Sequence, residues 1–258
     1  MRIALFSDIH GNAVALEAVL AAIEAQGGVD EYWILGDLVA IGPQPIAVLE
    51  RLTTLPNVRF TYGNTDRYIT TGERPPPSLA DVAADPSRLL AFEEVAQTMA
   101  WTQGAVTATG WLPFLDTLPL EQRLTLPNGT RLLGVHASPG QANGRGLRPD
   151  YTEAFLVDQL AECEADLVCV GHTHWPMNRR LGATHFINLG SVSNPQTPDL
   201  AAWHVLLEAD TTGYQVRHCQ VPYDREAVIA ALQTVRHPAQ SFIARHMRGE
   251  YVRDWPLP

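Results

Sequence analysis

Five short apolar runs in this chain each stop at residues that can bind a metal ion. "RIALF" leads to Asp8 and His10, "YWIL" to Gly36-Asp37, "VRFTY" to Gly63-Asn64, "RLLGV" to His136, and "DLVCV" to Gly171-His172-Thr173-His174. Runs this continuously apolar and β-rich suit strands buried on both faces. Two are followed by helical stretches, "NAVALEAVLAAIEAQGG" with Asn12 as a possible N-cap, and "PIAVLERLTTL". The repeated order of strand, polar loop and helix predicts an α/β sheet. Ligands of such sheets gather outside the carboxyl ends of the strands, so these residues are expected to converge there.

The remainder of the chain has a different texture. After about residue 184, "HFINLGS", "AWHVLLEA" and "YQVRHCQV" read as three strands without long helices between them, which predicts a second, largely antiparallel sheet. Residues of about 68 to 130 open on "GERPPPSLADVAADP", where three prolines exclude regular helix or central strand, and continue as the helical "SRLLAFEEVAQTMAWTQGAV". This segment reads as an insertion near the mouth of the site. The expected organisation is one domain over 1–238 and a mildly basic tail over 239–258 carrying Arg245, His246, Arg248 and Arg253.

The formal charge of −10 opposes duplex DNA binding, which relies on a basic footprint. A phosphate-bearing substrate would need a local attractor, and bound cations are the obvious one. Cys163, Cys169 and Cys219 form neither a C-x-x-C pair nor an even set and read as core residues of a reducing compartment. Asp8 and His10 interrupt the N-terminal apolar run before signal-peptide length, and no stretch approaches the roughly 18 apolar residues of a membrane helix. A cytoplasmic protein with no membrane partner is the expectation.

Taken singly, each polar group has a bland reading: a loop carboxylate, a turn asparagine, a satisfied core histidine. Together, Asp8, His10, Asp37, Asn64, His136, His172 and His174 make an ordered set, each just beyond an expected strand. Seven such groups are too many for one ion with open positions, but suit two ions about 3.5 to 4 Å apart that share a carboxylate.

The order D-x-H, G-D, G-N-x-D, H, G-H-x-H resembles the calcineurin-like metallophosphoesterases. The segments "FSDIHGN", "LGDLVAIGP", "GNTD", "GVHASPG", "GHTHWP" and "INLGSV" carry the resemblance over roughly residues 1 to 195. It implies a four-layer α/β-β/α sandwich of two mixed sheets with a dinuclear site. It also implies that Asp8, His10 and His174 hold one metal, that Asn64, His136 and His172 hold the other, and that Asp37 bridges them. The nucleophile would be metal-bound hydroxide. Nitrogen and oxygen ligands without thiolate fit two divalent ions, Mn first, with Fe, Zn, Co or Ni as alternatives.

Many members of that family carry histidine where this chain has Thr65, and the resemblance assigns that histidine to protonating the leaving oxygen or stabilising phosphoryl charge. A threonine hydroxyl can donate a hydrogen bond but is no acid at neutral pH. The expected activity is therefore hydrolysis of phosphodiester bonds in small, nucleotide-like substrates, with Asp37, Asn64, Thr65 and Asp66 as the catalytic group. Asp66 would pair with Arg67 or orient a metal ligand. The alternatives are a phosphomonoesterase or protein phosphatase, a dinucleotide polyphosphate hydrolase, or a non-catalytic metal-binding scaffold. Arg145 and Arg148 are candidates to reach a second phosphate or ribose, Asn188 and Ser191 to shape the site, and Trp101, Trp111, Tyr62 and Tyr68 to stack on a base or to serve as core. The remaining histidines and the oligomeric state receive no assignment.

Overall fold

The computed structural model describes residues 1–161 and 163–250. In chain order its strands are β1 (Arg2–Phe6), β2 (Glu31–Leu35), β3 (Val58–Thr61), β4 (Glu121–Thr125), β5 (Arg131–Val135), β6 (Leu167–Val170), β7 (Met177–Leu181), β8 (Thr184–Asn188), β9 (Ala202–Ala209) and β10 (Tyr214–Val221). The helices are α1 (Ala13–Ala25), α2 (Pro45–Thr53), α3 (Asn64–Thr71), α4 (Leu79–Ala84), α5 (Leu89–Ala108), α6 (Leu112–Asp116), α7 (Glu153–Leu160), α8 (Arg225–Thr234) and α9 (Gln240–Met247), with a 3₁₀ turn at Pro86–Arg88.

The strands form two mixed five-stranded sheets, ordered β10-β9-β1-β2-β3 and β4-β5-β6-β8-β7. In the first, β1, β2 and β3 run parallel, while β9 pairs antiparallel with both β1 and β10. In the second, β5, β6 and β8 run parallel and are flanked by antiparallel β4 and β7. The three late strands therefore do not make a sheet of their own, as the sequence suggested. "HFIN" lies parallel to β6, whereas β9 and β10 extend the sheet of β1. Absence of intervening helices signals antiparallel neighbours, but not which sheet they join.

Alternation along each strand builds four layers. Ala4, Phe6 and Ile34 face Leu16, Val19, Ile23, Val48 and Leu52 of α1 and α2. Ile3, Leu5, Trp33 and Leu35 face the opposite way and meet Leu132, Leu167, Cys169 and Ile187 between the sheets. Leu133, Val135, Val168 and Phe186 meet Leu156 and Leu160 of α7 on the far side. A strand buried on both faces cannot show the polar alternation of an exposed one, which is why these runs look continuously apolar.

The helices of the insertion root themselves through α5, whose Met99, Thr102 and Val106 are buried, while Leu79, Leu89 and Leu90 remain exposed. Residues 121–125, expected within the insertion, instead form β4 at the edge of the second sheet. The segment after Pro238 begins with α9, whose Ala244 and Met247 pack on Val228 and Ile229 of α8. Its last residues, 251–258 with Arg253, lie outside the described residues. No helix among the described residues is long and apolar enough to cross a membrane.

Candidate metal centre

Seven side chains from five strand ends and the loops beyond them converge above the seam between the sheets. Asp8 and His10 follow β1, Asp37 follows β2, and Asn64 opens α3 just after β3. His136 follows β5, and His172 and His174 follow β6. His10 Nε2 lies 3.3 Å from His174 Nε2. Asp37 Oδ2 lies between two imidazoles, 3.6 Å from His10 Nε2 and 3.4 Å from His136 Nε2. Asn64 Oδ1 is 3.1 Å from His136 Nε2 and 2.8 Å from His172 Nδ1.

The backbone bends sharply to achieve this. Asp8, His10, Asp37, His172 and His174 all have left-handed φ angles, between 48° and 67°. Non-glycine residues adopt this region at an energetic cost, and such residues gather at functional sites. Close approach is possible because neighbouring positions lack side chains. A Cβ on Gly63 would lie 2.1 Å from Asp37 Oδ1, and one on Gly171 would lie 2.1 Å from Ser7 Oγ.

A shell of fixed hydrogen bonds orients the inward-facing atoms. His136 Nδ1 meets the Leu35 carbonyl at 2.7 Å, His174 Nδ1 meets that of Asn194 at 2.7 Å, and His172 Nε2 meets that of Gly144 at 3.0 Å. Carbonyls only accept, so each of these nitrogens carries the proton and the opposite ring nitrogen faces inward as a donor atom. Asp8 Oδ2 accepts from Ser7 Oγ at 2.6 Å and from His172 N at 3.0 Å. Its other oxygen has no hydrogen bond and faces His174 Nε2 at 3.1 Å.

The electrostatics of the cluster ask for a cation. Burial alone would raise Asp8 and Asp37, but nearby imidazoles, His174 for the first and His136 for the second, hold both carboxyls below the usual range. Burial would likewise suppress the His136 imidazolium, yet the Asp37 charge prevails and raises it to about 10. His10 goes the other way, lowered to about 4 chiefly by burial. Two buried anions, one orphaned carboxylate oxygen and inward imidazole nitrogens form a nitrogen-and-oxygen donor set that fits borderline divalent ions. The donor atoms of Asp8, His10 and His174 lie within 4.8 Å of one another, as do those of Asp8, Asp37 and His136.

Thr65 and Asp66 are turned away from this cluster. Thr65 is buried; its N–H donates to Asp37 Oδ1 at 2.9 Å and its hydroxyl to the Val39 carbonyl at 3.2 Å. Asp66 accepts three backbone bonds, from Gly63 N, Leu38 N and Val39 N, at 2.9 to 3.2 Å. It does not pair with Arg67, whose guanidinium lies 3.9 Å from Glu73 instead. Burial first, and the Asp37 charge second, push its carboxyl up to about 7 against the pull of those N–H groups. Asp66 thus orients the loop that carries Asp37.

Arg145 and Arg148, candidates to reach a second phosphate or ribose, have aromatic and carboxylate neighbours. Arg145 packs over the rings of Tyr151 and Phe155, and Arg148 makes a two-pronged pair with Asp150 at 2.8 and 2.6 Å. Asn188 bonds Leu147 O, Gly171 O and Thr173 Oγ1, and Ser191 Oγ donates to Asp8 O. Both shape the site by holding its loops. Trp101 packs against His237, and Trp111 against Phe114 in the core around α5 and α6. Sequence reading missed the carbonyls of Leu35, Gly144 and Asn194, since a backbone acceptor has no residue signature.

The family model described as the calcineurin-like phosphoesterase superfamily domain matches residues 1–212. An uncharacterized protein of Methanocaldococcus jannaschii, MJ0912, is 30% identical over 241 residues, covering 86% of this chain and 88% of that protein. The symmetrical bis(5′-nucleosyl)-tetraphosphatase of Paracidovorax citrulli is 30% identical over 168 residues, or 65% of this chain. The match spans about half (52%) of that relative's length. Among solved structures, the metallophosphoesterase from Sphaerobacter thermophilus superposes with a TM-score of 0.74 at 25% identity, over 96% of this chain and 98% of its own. The hypothetical protein PH1004 from Pyrococcus horikoshii OT3 has the same fold, with a TM-score of 0.80 at 20% identity over 95% and 97% of the two chains. The chain belongs to the calcineurin-like phosphoesterase superfamily and is a metal-dependent phosphoester hydrolase.

Proposed function

We propose that this enzyme is a phosphodiesterase for small, nucleotide-like diesters, with two divalent ions held by Asp8, His10, Asp37, Asn64, His136, His172 and His174. The observation that carries the reading is the position of Asp37 Oδ2 between His10 and His136, beside an Asp8 oxygen without a hydrogen bond. When bound, divalent ions draw phosphate oxygens together and acidify water at neutral pH. Mn²⁺ is the ion we favour.

The chain's own residues supply placement. The carbonyls of Leu35, Asn194 and Gly144 hold one ring nitrogen each of His136, His174 and His172, which keeps the opposite nitrogen of each ring facing the cluster, where a bound cation would displace its proton. Asp66 ties Gly63 to Leu38 and Val39, so that Asn64 and Asp37 keep their separation. Thr65 donates its hydroxyl to Val39 O and offers the leaving oxygen no proton. A substrate must then leave on a group that tolerates negative charge, which favours diesters with stabilised leaving groups over simple monoesters. The three cysteines are free and buried, which supports a reducing, cytoplasmic setting.

The test is steady-state turnover, after metal stripping and Mn²⁺ reconstitution, of a 2′,3′-cyclic nucleotide beside the matching 3′-monophosphate. The cyclic diester should be the better substrate; faster monoester hydrolysis would overturn the reading. Similarity to a symmetrical bis(5′-nucleosyl)-tetraphosphatase favours one second reading, hydrolysis of dinucleotide polyphosphates. A bis(5′-nucleosyl) tetraphosphate belongs in the same assay, and its outrunning the cyclic diester would favour that alternative.

A further inference from the structure

We infer that the cleft running from Asn64 along α3 is the seat of a nucleoside, and that Tyr62 and Asn143 determine specificity for it. The inference rests on the phosphodiesterase reading and names what is attached to the phosphate. The cleft has a volume of 320 Å³ and is bounded by Asn64, Arg67 and Tyr68 on one side, by Gly140 to Asn143 on the other, and by Tyr62 and Leu120. That volume lies at the small end of ligand sites and suits one nucleoside.

The cleft is joined to the metal cluster by construction. Asn64 belongs to both. Asn64 and Tyr68 lie four residues apart on α3, one turn or about 6 Å along its axis, which is the reach of a ribose beyond its phosphate. The opposite wall is tied to the same cluster, because the Gly144 carbonyl next to Asn143 receives His172 Nε2 at 3.0 Å. Asn143 Nδ2 donates to the Tyr68 hydroxyl at 2.8 Å and closes the two walls toward each other.

The lining chemistry favours a base over an alkyl or peptidyl group. Tyr62 lines the cleft, partly buried, with a ring for stacking, and the exposed Gln141 amide both donates and accepts, as the edge of a base requires; the Asn143 amide donates to the Tyr68 hydroxyl and accepts from Gly144 N at 2.7 Å, which leaves it one N–H and one lone pair for the base. Arg67 stands in the same wall with its guanidinium half-exposed, 3.9 Å from Glu73, where ribose or a second phosphate would pass.

The experiment compares two chromogenic diesters with the same leaving group, thymidine 5′-(p-nitrophenyl phosphate) and bis(p-nitrophenyl) phosphate, on the Mn²⁺-loaded full chain. Base stacking is worth roughly 1 to 3 kcal/mol, so Tyr62→Leu should lower kcat/KM for the thymidine ester relative to the other about tenfold, through KM. Asn143→Ala, on an exposed loop, should move the ratio the same way and keeps the test open if Tyr62→Leu misfolds. Titration of thymidine, which has no phosphate, provides a readout independent of turnover: saturable binding that Asn143→Ala weakens supports the cleft even if both esters are inert, a result that would sink only the phosphodiesterase reading. A ratio that neither variant changes, or thymidine binding indifferent to both, would overturn the inference.

Discussion

At the scale of single residues, the site depends on groups whose alternatives are costly. Asp37→Asn keeps the shape of the side chain but removes the charge lying between His10 and His136. Its expected effect is loss of at least about a hundredfold in turnover together with reduced bound metal, checked by elemental analysis of purified protein. Thr65→Val separates structure from chemistry, because it leaves the Val39 carbonyl without its 3.2 Å donor. Unfolding stability should fall by roughly 1 to 3 kcal/mol in a denaturant titration while diester turnover persists. His204 governs a different property. It is fully buried, neither ring nitrogen has a hydrogen bond, and burial lowers its pKa to about 4. Between the ordinary value near 6.5 and that lowered one, the unfolded chain binds a proton that the folded chain refuses, so stability falls as pH drops through this window. His204→Leu should flatten that slope by up to about 1.4 kcal/mol per pH unit, as read by urea unfolding at pH 7 and pH 5.

At the scale of elements, strand tips and the loops after them do the positioning. Asn188, at the end of β8, pins Leu147, Gly171 and Thr173 with one amide. Asn188→Ala should release the loop that carries His172 and His174 and weaken metal binding about 10- to 100-fold, with isothermal titration as the measurement. Much of this level was legible in the sequence, since β1, β2, β5 and β6 are short apolar blocks that end where polar residues begin. Asp8, His10, Asp37, Asn64, His136, His172 and His174 could be ordered along the chain for the same reason. Pairing was not legible: nothing in "AWHVLLEA" says that it lies beside β1 and not beside β8, because the choice is made by contacts far away in sequence. The side-chain geometry of Thr65 and Asp66 was equally hidden, since a hydroxyl or a carboxylate reads the same whether it faces a substrate or a backbone amide. The arginines of residues 145 and 148 found aromatic and carboxylate neighbours that no spacing rule anticipates.

At the scale of the whole molecule, the first sheet contributes Asp8, His10, Asp37 and Asn64, and the second contributes His136, His172 and His174. On the proposed reading, an ion shared between them would stabilise the folded chain by mass action. With free metal at a hundred times its dissociation constant the gain is about 2.7 kcal/mol, which for a chain of this size corresponds to a Tm higher by roughly 5 to 10 °C. Thermal melts with and without a chelator should show that difference, and Asp37→Asn should abolish it. The pairing of β1 with β9 has a further consequence, for biosynthesis. Met1 and Ala209 exchange backbone hydrogen bonds at 2.9 Å, and the strand that leads to Asp8 and His10 leaves the ribosome about two hundred residues before this neighbour. Until then one long edge of that strand is bare, and a translation product cut short before residue 202 would carry all seven donor side chains yet lack the strand that clamps the first two in place.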